Sequence, residues 1–347
     1  MDNREKRKVL IIYTGGTIGM VENPNTGALE NFGLHRFLEM VPELGRMDYH
    51  ISLEAFDPPI DSSDMEPIRW KEIAEMIVRN YETYDGFVIL HGTDTMAYTA
   101  SALSFMLENI AKPVIITGSQ LPIGQLRTDG KENLLTSVEI AAACDASGRP
   151  IVPEVCIYFD SRLMRGNRTT KINTDEFNAF QSYNYPPLAT AGIDIRFNAR
   201  LIRPIPTDKP LRPHLELDDR VMVLSLFPGI RQDFVEAALS AKELRAVVIK
   251  TFGAGNAPQK PWLLESFLKL RARGILVVNI TQCSEGSVEM HRYETGLQLL
   301  NAGVENGHDS TIETCVTKLM VLLGEHRDTE QIRALLHQSI AGEITVP

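Results

Sequence analysis

The sequence predicts an α/β protein of two domains, in which the larger N-terminal domain contains a mainly parallel sheet. Three observations lead to this fold class. The chain has 347 residues, more than a single hydrophobic core usually serves. Hydrophobic residues make up 44% and charged residues 23%, which is typical of a globular protein. Short runs of branched apolar residues alternate with longer segments of helical period, as in strands joined by helices.

The first half of the chain carries this alternation in a regular form. It predicts strands at residues 9–13, 51–56, 86–90, 113–117 and 155–159. Helices are predicted at residues 66–81, 95–109 and 131–143. Ser63 or Asp64 is expected to cap the first helix, because Pro67 stands near its first turn.

The second half repeats the alternation after a polar segment, residues 196–219, that contains four prolines. We predict an N-terminal domain at residues 1–207, a linker at 208–219 and a C-terminal domain at 220–347. Strands are predicted at residues 221–226, 246–250 and 275–280. Helices are predicted at residues 231–241, 262–273, 311–323 and 330–339.

Charge and composition exclude several classes of protein. The formal net charge of -10 disfavours a nucleic-acid partner, and no apolar run reaches the roughly 20 residues that span a bilayer. The histidines are dispersed, and no metal site is expected. Scattered cysteines indicate reduced, mostly buried thiols and a cytoplasmic protein; they are Cys144, Cys156, Cys283 and Cys315.

Polar and glycine-rich segments follow each of the first four predicted strands. They are Thr14-Gly15-Gly16-Thr17, Asp61-Ser62-Ser63-Asp64, His91-Gly92-Thr93-Asp94-Thr95 and Thr117-Gly118-Ser119-Gln120. The carboxyl ends of parallel strands lie at one edge of a sheet, where ligands bind in open α/β folds. We therefore expect these four loops to form one cleft.

Each loop taken alone is ambiguous. The Gly-Gly turn could bind a phosphate, stabilise an oxyanion or only bend the chain, although its spacing fits neither common nucleotide-binding motif. Ser62 and Ser63 could bind a carboxylate or only cap a helix. His91 could be a general base, but a structural role is favoured because no Ser or Cys stands in a recognised nucleophile motif.

Five segments together resemble the bacterial asparaginase family, and most closely its cytoplasmic type I branch. They are Thr14 to Gly19, Asp61 to Met65, His91 to Met96, Arg165 to Lys171 and Gly253 to Gln259. The resemblance runs in order along nearly the whole chain. It implies the asparaginase/glutaminase-like fold and hydrolysis of L-asparagine to L-aspartate and ammonia through an acyl-enzyme, with no cofactor.

The resemblance also implies roles for individual residues. Thr17 becomes the nucleophile, and a second catalytic cluster consists of Thr93, Asp94 and Lys171. Substrate binding falls to the same Thr93 and Asp94, with Asp94 at the α-ammonium, and to Asp61, Ser62, Ser63 and Asn256. Asn256 lies where the family reaches from a neighbouring subunit, which implies a homo-oligomer, a dimer or a tetramer.

Two positions depart from the family pattern. Many relatives carry a tyrosine in the loop after the first threonine, whereas residues 21–32 contain none and Ala28 aligns with it. Type I relatives with an allosteric asparagine site have an arginine where this chain has Lys250. Those relatives also have a Thr-Gln-Cys run, which this chain matches at Thr281, Gln282 and Cys283. Because lysine lacks the two-pronged guanidinium, an effector site at these four residues is retained or lost with equal expectation.

Two alternative functions stay open. A pocket one methylene larger would also accept glutamine, since such a difference is worth only about 1 to 3 kcal/mol. A silent amino-acid sensor would bind asparagine or aspartate without turnover, but the complete set of Thr17, Thr93, Asp94 and Lys171 disfavours it.

Overall fold

A computed structural model describes residues 6–22, 29–31 and 39–346 of the chain. The chain divides into two compact units, Met1–Leu215 and Glu216–Pro347. Each unit is an α/β structure with its own sheet, so the predicted two-domain α/β class with a mainly parallel sheet is confirmed.

The larger unit contains an eight-stranded sheet. In chain order its strands are β1 (Lys8–Tyr13), β2 (His50–Ala55), β3 (Gly86–Leu90), β4 (Val114–Thr117), β5 (Val155–Phe159), β6 (Arg162–Arg165), β7 (Ala189–Ala191) and β8 (Ile195–Phe197). Across the sheet the order is β2-β1-β3-β4-β5-β6-β7-β8. The first five strands in this order run parallel, and the last three pairings are antiparallel.

Among the described residues, the helices that cover this sheet are α1 (Pro67–Asn80), α2 (Met96–Met106) and α3 (Gly130–Ala142). Every residue of β3 is buried, as expected for a central parallel strand covered on both faces. On one face Val9, Val88 and Ile115 pack with Leu134 and Val138 of α3. Because the strands are packed in this way, their carboxyl ends are held at one edge, where the polar loops begin.

Short elements connect the main ones in the larger unit. Four tight turns of 3-10 helix span Thr17–Gly19, Pro42–Arg46, Ser62–Asp64 and Gly166–Arg168. Three short antiparallel ladders pair Met20–Glu22 with Leu29–Asn31, Thr170–Lys171 with Phe180–Gln181, and Leu107–Glu108 with Arg212–Pro213. The second ladder closes the loop that follows Lys171.

The smaller unit contains a four-stranded parallel sheet of β9 (Val221–Ser225), β10 (Ala246–Thr251), β11 (Leu276–Thr281) and β12 (Val304–Asn306), in that order. Its helices are α4 (Gln232–Leu239), α5 (Pro261–Ala272), α6 (Glu294–Asn301), α7 (Ile312–Gly324) and α8 (Thr329–Leu336). Side chains of α4, α5 and α6 pack in one core cluster, and those of α7 and α8 pack in another. The sheet is therefore covered on both faces.

Some predicted elements differ from those observed. The second predicted helix ends at Met106 rather than Asn109, because Leu107–Glu108 pairs with Arg212–Pro213 and Asn109 has a φ of 62°. The sequence patterns missed β6, β7, β8, α6 and β12, of which the strands have only three or four residues, too few to show a period. The segment at residues 196–219 is not entirely irregular, since its first two residues belong to β8.

Candidate active site

The first strand-end loop is a glycine turn wedged between two other loops. Gly15 and Gly16 have φ values of 135° and 90°, which residues with a Cβ rarely adopt. A Cβ on Gly15 would lie 2.1 Å from the carbonyl oxygen of Ile60, and one on Gly16 would lie 2.5 Å from the Cα of Gly92. The turn after β1 therefore packs directly against the loops after β2 and β3.

Thr17 is half-buried and opens the turn Thr17–Gly19. The backbone of this turn is closed by a 3.1 Å hydrogen bond from the Gly19 N–H to the carbonyl of Gly16. Within residues 6–22, 29–31 and 39–346, no hydrogen bond engages the Thr17 hydroxyl. Gly16, the residue before Thr17, packs against Gly92 in the loop that carries Thr93.

The second loop brings its hydroxyls into two different environments. Ser62 is buried, and its Oγ would lie 2.4 Å from a Cβ built on Gly92. Asp61 and Ser63 are exposed, and Asp61 Oδ1 accepts hydrogen bonds of 2.9 Å from both the N–H and the hydroxyl of Ser63. The expected helix cap at Ser63 or Asp64 is wrong, because Glu66 occupies the N-cap of α1 without a side-chain bond and Asp61 caps the short turn instead.

His91, at the start of the third loop, is fully engaged in a buried network. Its Nδ1 donates to the Gly92 carbonyl at 2.7 Å, and the hydroxyl of Thr99 donates to its Nε2 at 2.8 Å. The indole N–H of Trp70 in turn donates to Thr99 at 3.0 Å. Burial lowers the pKa of His91 to about 4. The imidazole is therefore neutral and structural, and it has no free nitrogen with which to act as a base.

Thr93, Asp94 and Lys171 form one hydrogen-bonded cluster. Lys171 Nζ donates to Thr93 Oγ1 at 2.8 Å and to Asp94 Oδ1 at 2.6 Å. Lys171 is 77 positions from Asp94 in sequence, and the turn Gly166–Arg168 beside α2 brings it to the cluster. A cleft of about 460 Å³ opens here, lined by Asp94, Lys171, Ile172, Asn173 and Thr174.

The fourth loop adds a residue to which sequence reasoning assigned no role. Gln120 Oε1 lies 3.4 Å from Thr93 Oγ1, and its Nε2 bonds to the backbone beyond Lys171. The sequence did place Gln120 in the fourth strand-end loop, and that placement was the one indication that it could belong to the site. Gly118 packs this loop on the third one, because a Cβ there would lie 2.3 Å from the carbonyl oxygen of His91.

Asn256 belongs to the smaller unit, in a loop braced from two sides. Its Oδ1 accepts a 2.7 Å hydrogen bond from the Thr295 hydroxyl. The amide of Asn279 donates to the neighbouring Gly255 carbonyl at 3.1 Å. Asn256 is half-buried. Its predicted reach into a neighbouring subunit stays a prediction.

The four candidate effector residues lie together at the carboxyl ends of β10 and β11. Gln282 Nε2 donates to the carbonyls of Leu226 and Lys250 at 2.6 and 2.8 Å. Thr281 Oγ1 donates to the Gly253 carbonyl at 2.7 Å and accepts from the Cys283 N–H at 3.0 Å. No ion pair engages Lys250 in the described part of the chain.

Other sequence predictions have mixed outcomes. Cys156 and Cys315 are buried and Cys144 is half-buried. Cys283 is exposed, so the prediction of a buried thiol is wrong for this residue. Burial raises the pKa of Cys315 to about 12. No helix among the described residues is long and apolar enough to cross a membrane. Ala28, which aligns with the missing tyrosine, lies outside the described residues.

Comparisons with known proteins identify the same family in both halves of the chain. The family model described as Asparaginase, N-terminal, matches residues 8–203, and the one described as Glutaminase/Asparaginase C-terminal domain matches residues 220–336. The chain is 46% identical over 350 residues to L-asparaginase 1 of Escherichia coli strain K12, covering 98% of this chain and 99% of that protein.

Solved structures give the same result. The crystal structure of L-asparaginase I from Vibrio cholerae matches with a TM-score of 0.89 at 40% identity, covering 99% of this chain and 100% of that one. The thermostable L-asparaginase from Thermococcus kodakarensis matches with a TM-score of 0.87 at 35% identity, covering 98% and 100%.

Proposed function

The chain belongs to the asparaginase family, and from this premise we propose that it hydrolyses L-asparagine to L-aspartate and ammonia through an acyl-threonine on Thr17. The observation that carries the proposal is the cluster in which Lys171 Nζ lies 2.8 Å from Thr93 Oγ1 and 2.6 Å from Asp94 Oδ1. A hydroxyl nucleophile needs a nearby group that takes its proton. The cluster supplies such groups on the loop after β3, which packs against Gly16, the residue before Thr17.

The reaction proceeds in two covalent steps. Thr17 Oγ attacks the side-chain carbonyl carbon of asparagine, its proton is transferred, and the carbon–nitrogen bond breaks as the nitrogen gains a proton and leaves as ammonia. Water then attacks the ester carbon and gives up a proton, the bond to Thr17 Oγ breaks as that oxygen regains a proton, and aspartate is released. The backbone N–H groups of Thr17 and Thr93 are our candidates for the donors that stabilise the oxyanion of each tetrahedral intermediate.

Selectivity for an amino acid comes from charges at the rim of the cleft. We assign the α-ammonium to Asp94, whose exposed carboxylate already pairs with Lys171 through one oxygen. We assign the α-carboxylate and its surroundings to Asp61, Ser62 and Ser63: Ser62 offers a buried hydroxyl, and Asp61 holds Ser63 beside it through the Ser63 N–H and hydroxyl. A plain amide has neither the α-ammonium nor the α-carboxylate, so it forms none of these contacts and should bind more weakly than asparagine.

A second copy of the chain completes the site in this proposal. Asn256 reaches the substrate of a neighbouring subunit, so the enzyme works as a homo-oligomer, a dimer or a tetramer. The bonds from Thr295 and Asn279 support this role, because they hold the loop of Asn256 in one shape. The dispersed, free cysteines support a cytoplasmic location.

An effector site is the second part of the proposal for the smaller unit. The set of Lys250, Thr281, Gln282 and Cys283 offers the Lys250 cation at one sheet edge, while Thr281 and Gln282 brace the loop beside it through bonds to backbone carbonyls. This set suits the carboxylate of a second asparagine, although a lysine binds it through one point rather than two.

The proposed activity is tested by measuring ammonia release from asparagine and from glutamine over a range of concentrations. We expect kcat/KM to be higher for asparagine, because the pocket discriminates one methylene. A higher kcat/KM for glutamine would reassign the substrate. Binding of aspartate by calorimetry without any ammonia release would identify a sensor and refute the enzyme.

A further inference from the structure

Gln120 is held at its backbone by the half-buried carboxylate of Asp129. Its N–H donates to both oxygens of Asp129, at 3.1 and 3.0 Å, and the N–H of Leu121 donates to the same carboxylate at 3.1 Å. Asp129 also accepts from the amide of Asn133 in α3 at 3.2 Å. The fourth strand-end loop is thereby tied to α3, so the Cα of Gln120 has a fixed position.

The side-chain amide of Gln120 is held as firmly as its backbone. Nε2 donates to the carbonyls of Thr174 and Glu176 at 3.1 and 3.0 Å. These two bonds use both hydrogens of the amide nitrogen. An inverted amide would place Oε1 against two carbonyl oxygens with no donor between them, so the chemistry fixes the orientation. Oε1 therefore points away from the Thr174 loop.

The direction of Oε1 matters because it faces Thr93. Lys171 Nζ has only donors, so Thr93 Oγ1 must accept the 2.8 Å bond from it. The single proton of the Thr93 hydroxyl is then available to Gln120 Oε1, 3.4 Å away. This distance is long for a hydroxyl donor, and hydrogen bonds of catalytic groups are often long before substrate binds.

We propose that Gln120 is a positioning residue, which sets the rotation of the Thr93 hydroxyl so that a lone pair stays on Lys171. The inference deepens the proposed function and rests on it. Gln120 acts through Thr93 and does not itself touch the substrate. The same amide also holds the wall of the 460 Å³ cleft, since Thr174 lines it and both Nε2 bonds end on that loop.

The test compares three variants in one ammonia-release assay. Gln120→Met keeps the length of the side chain and removes its polar atoms, whereas Gln120→Glu keeps an oxygen for Thr93 but loses both donors. Gln232→Met is the matched control, because Gln232 is exposed on α4 and, among the described residues, its Nε2 bonds to Glu236 alone. Thermal unfolding is measured for each protein.

We expect both Gln120 variants to lower kcat about tenfold, the effect of losing one orienting hydrogen bond, with KM for asparagine changed less than about threefold. The control should match the wild type in kcat, KM and Tm. A loss of fold alone would lower the active fraction and Tm together, whereas the predicted loss persists after correction for folded protein.

Three results would overturn the inference. Wild-type kcat in Gln120→Met would show that Thr93 needs no orienting acceptor. Full activity in Gln120→Glu would show that the two carbonyl bonds are not needed to orient the oxygen. A rise in KM at constant kcat would assign Gln120 only to the cleft wall. Absence of ammonia release by the wild type would instead refute the proposed function.

Discussion

Two lysine–carboxylate pairs of equal length provide a direct comparison between a catalytic and a structural lysine. Lys171 lies 2.6 Å from Asp94, and Lys318 lies 2.6 Å from Glu343. The exposed fractions of the side chains are 16% and 62% in the first pair, but 3% and 0% in the second. Replacing each lysine with methionine removes the same positive charge, in one case beside an exposed carboxylate and in the other beside a buried one.

The expected stability changes differ because of this burial. Lys171→Met leaves Asp94 largely in water, so the free energy of unfolding should fall by no more than about 1 kcal/mol. Lys318→Met leaves the Glu343 carboxylate buried without its cation, which costs about 3 to 5 kcal/mol. The latter change should lower Tm by roughly 10 °C.

The expected activities run in the reverse order. Lys171→Met should lower kcat for asparagine by about 10² to 10⁴, the range for a group that moves or stabilises a proton. Folded Lys318→Met should keep the wild-type kcat at a temperature well below its Tm. The assay is ammonia release at saturating asparagine, with folded protein quantified by circular dichroism. A Lys171→Met enzyme that keeps more than about a tenth of kcat would refute the catalytic role of Lys171.

Three further predictions follow from individual positions. Because the pKa of folded His91 is about 4 and its ordinary value is 6.5, its stabilising contribution is complete above pH 6.5 and is lost as pH falls towards 4. In urea unfolding, the difference in free energy of unfolding between the wild type and His91→Asn should therefore shift against the wild type by about 1.4 kcal/mol per pH unit as pH falls through that window, and parallel curves would contradict this. Gly16→Ala should lower kcat/KM at least about 100-fold, because its Cβ meets the Gly92 backbone at 2.5 Å, whereas Gly229→Ala, with a similar φ of 92° and nothing within 4 Å, should keep wild-type activity. Equal activities of Gly16→Ala and Gly229→Ala would show that the close packing of Gly16 on Gly92 is not needed for activity. If Lys250 binds an effector carboxylate, asparagine dependence is sigmoidal and becomes hyperbolic in Lys250→Ala; a hyperbolic wild type would contradict an effector site.

The long elements of the fold were predictable because their patterns are strong. β3 and β5 occur at the predicted residues, since buried parallel strands are continuous apolar runs. The strands β7 and β8 have only three residues each and could not be recognised by alternation. Their positions depend on pairing with β6 and with each other, which is a tertiary effect.

The candidate site was predictable where strand topology decides it. The glycine contacts that join the loops follow from parallel strands ending at one edge. Lys171 came only from family resemblance, because no local pattern predicts that it would reach Thr93. The role of Gln120 depends on two backbone carbonyls at Thr174 and Glu176, which the sequence cannot place.

The central claim is that Thr17 is the covalent nucleophile. The most direct measurement is mass spectrometry of protein quenched during asparagine turnover, with the wild type compared with Thr17→Ala. We predict an acyl adduct on the peptide containing Thr17 in the wild type, and neither adduct nor ammonia release in Thr17→Ala. Full turnover in Thr17→Ala, or an adduct on another residue, would contradict the account.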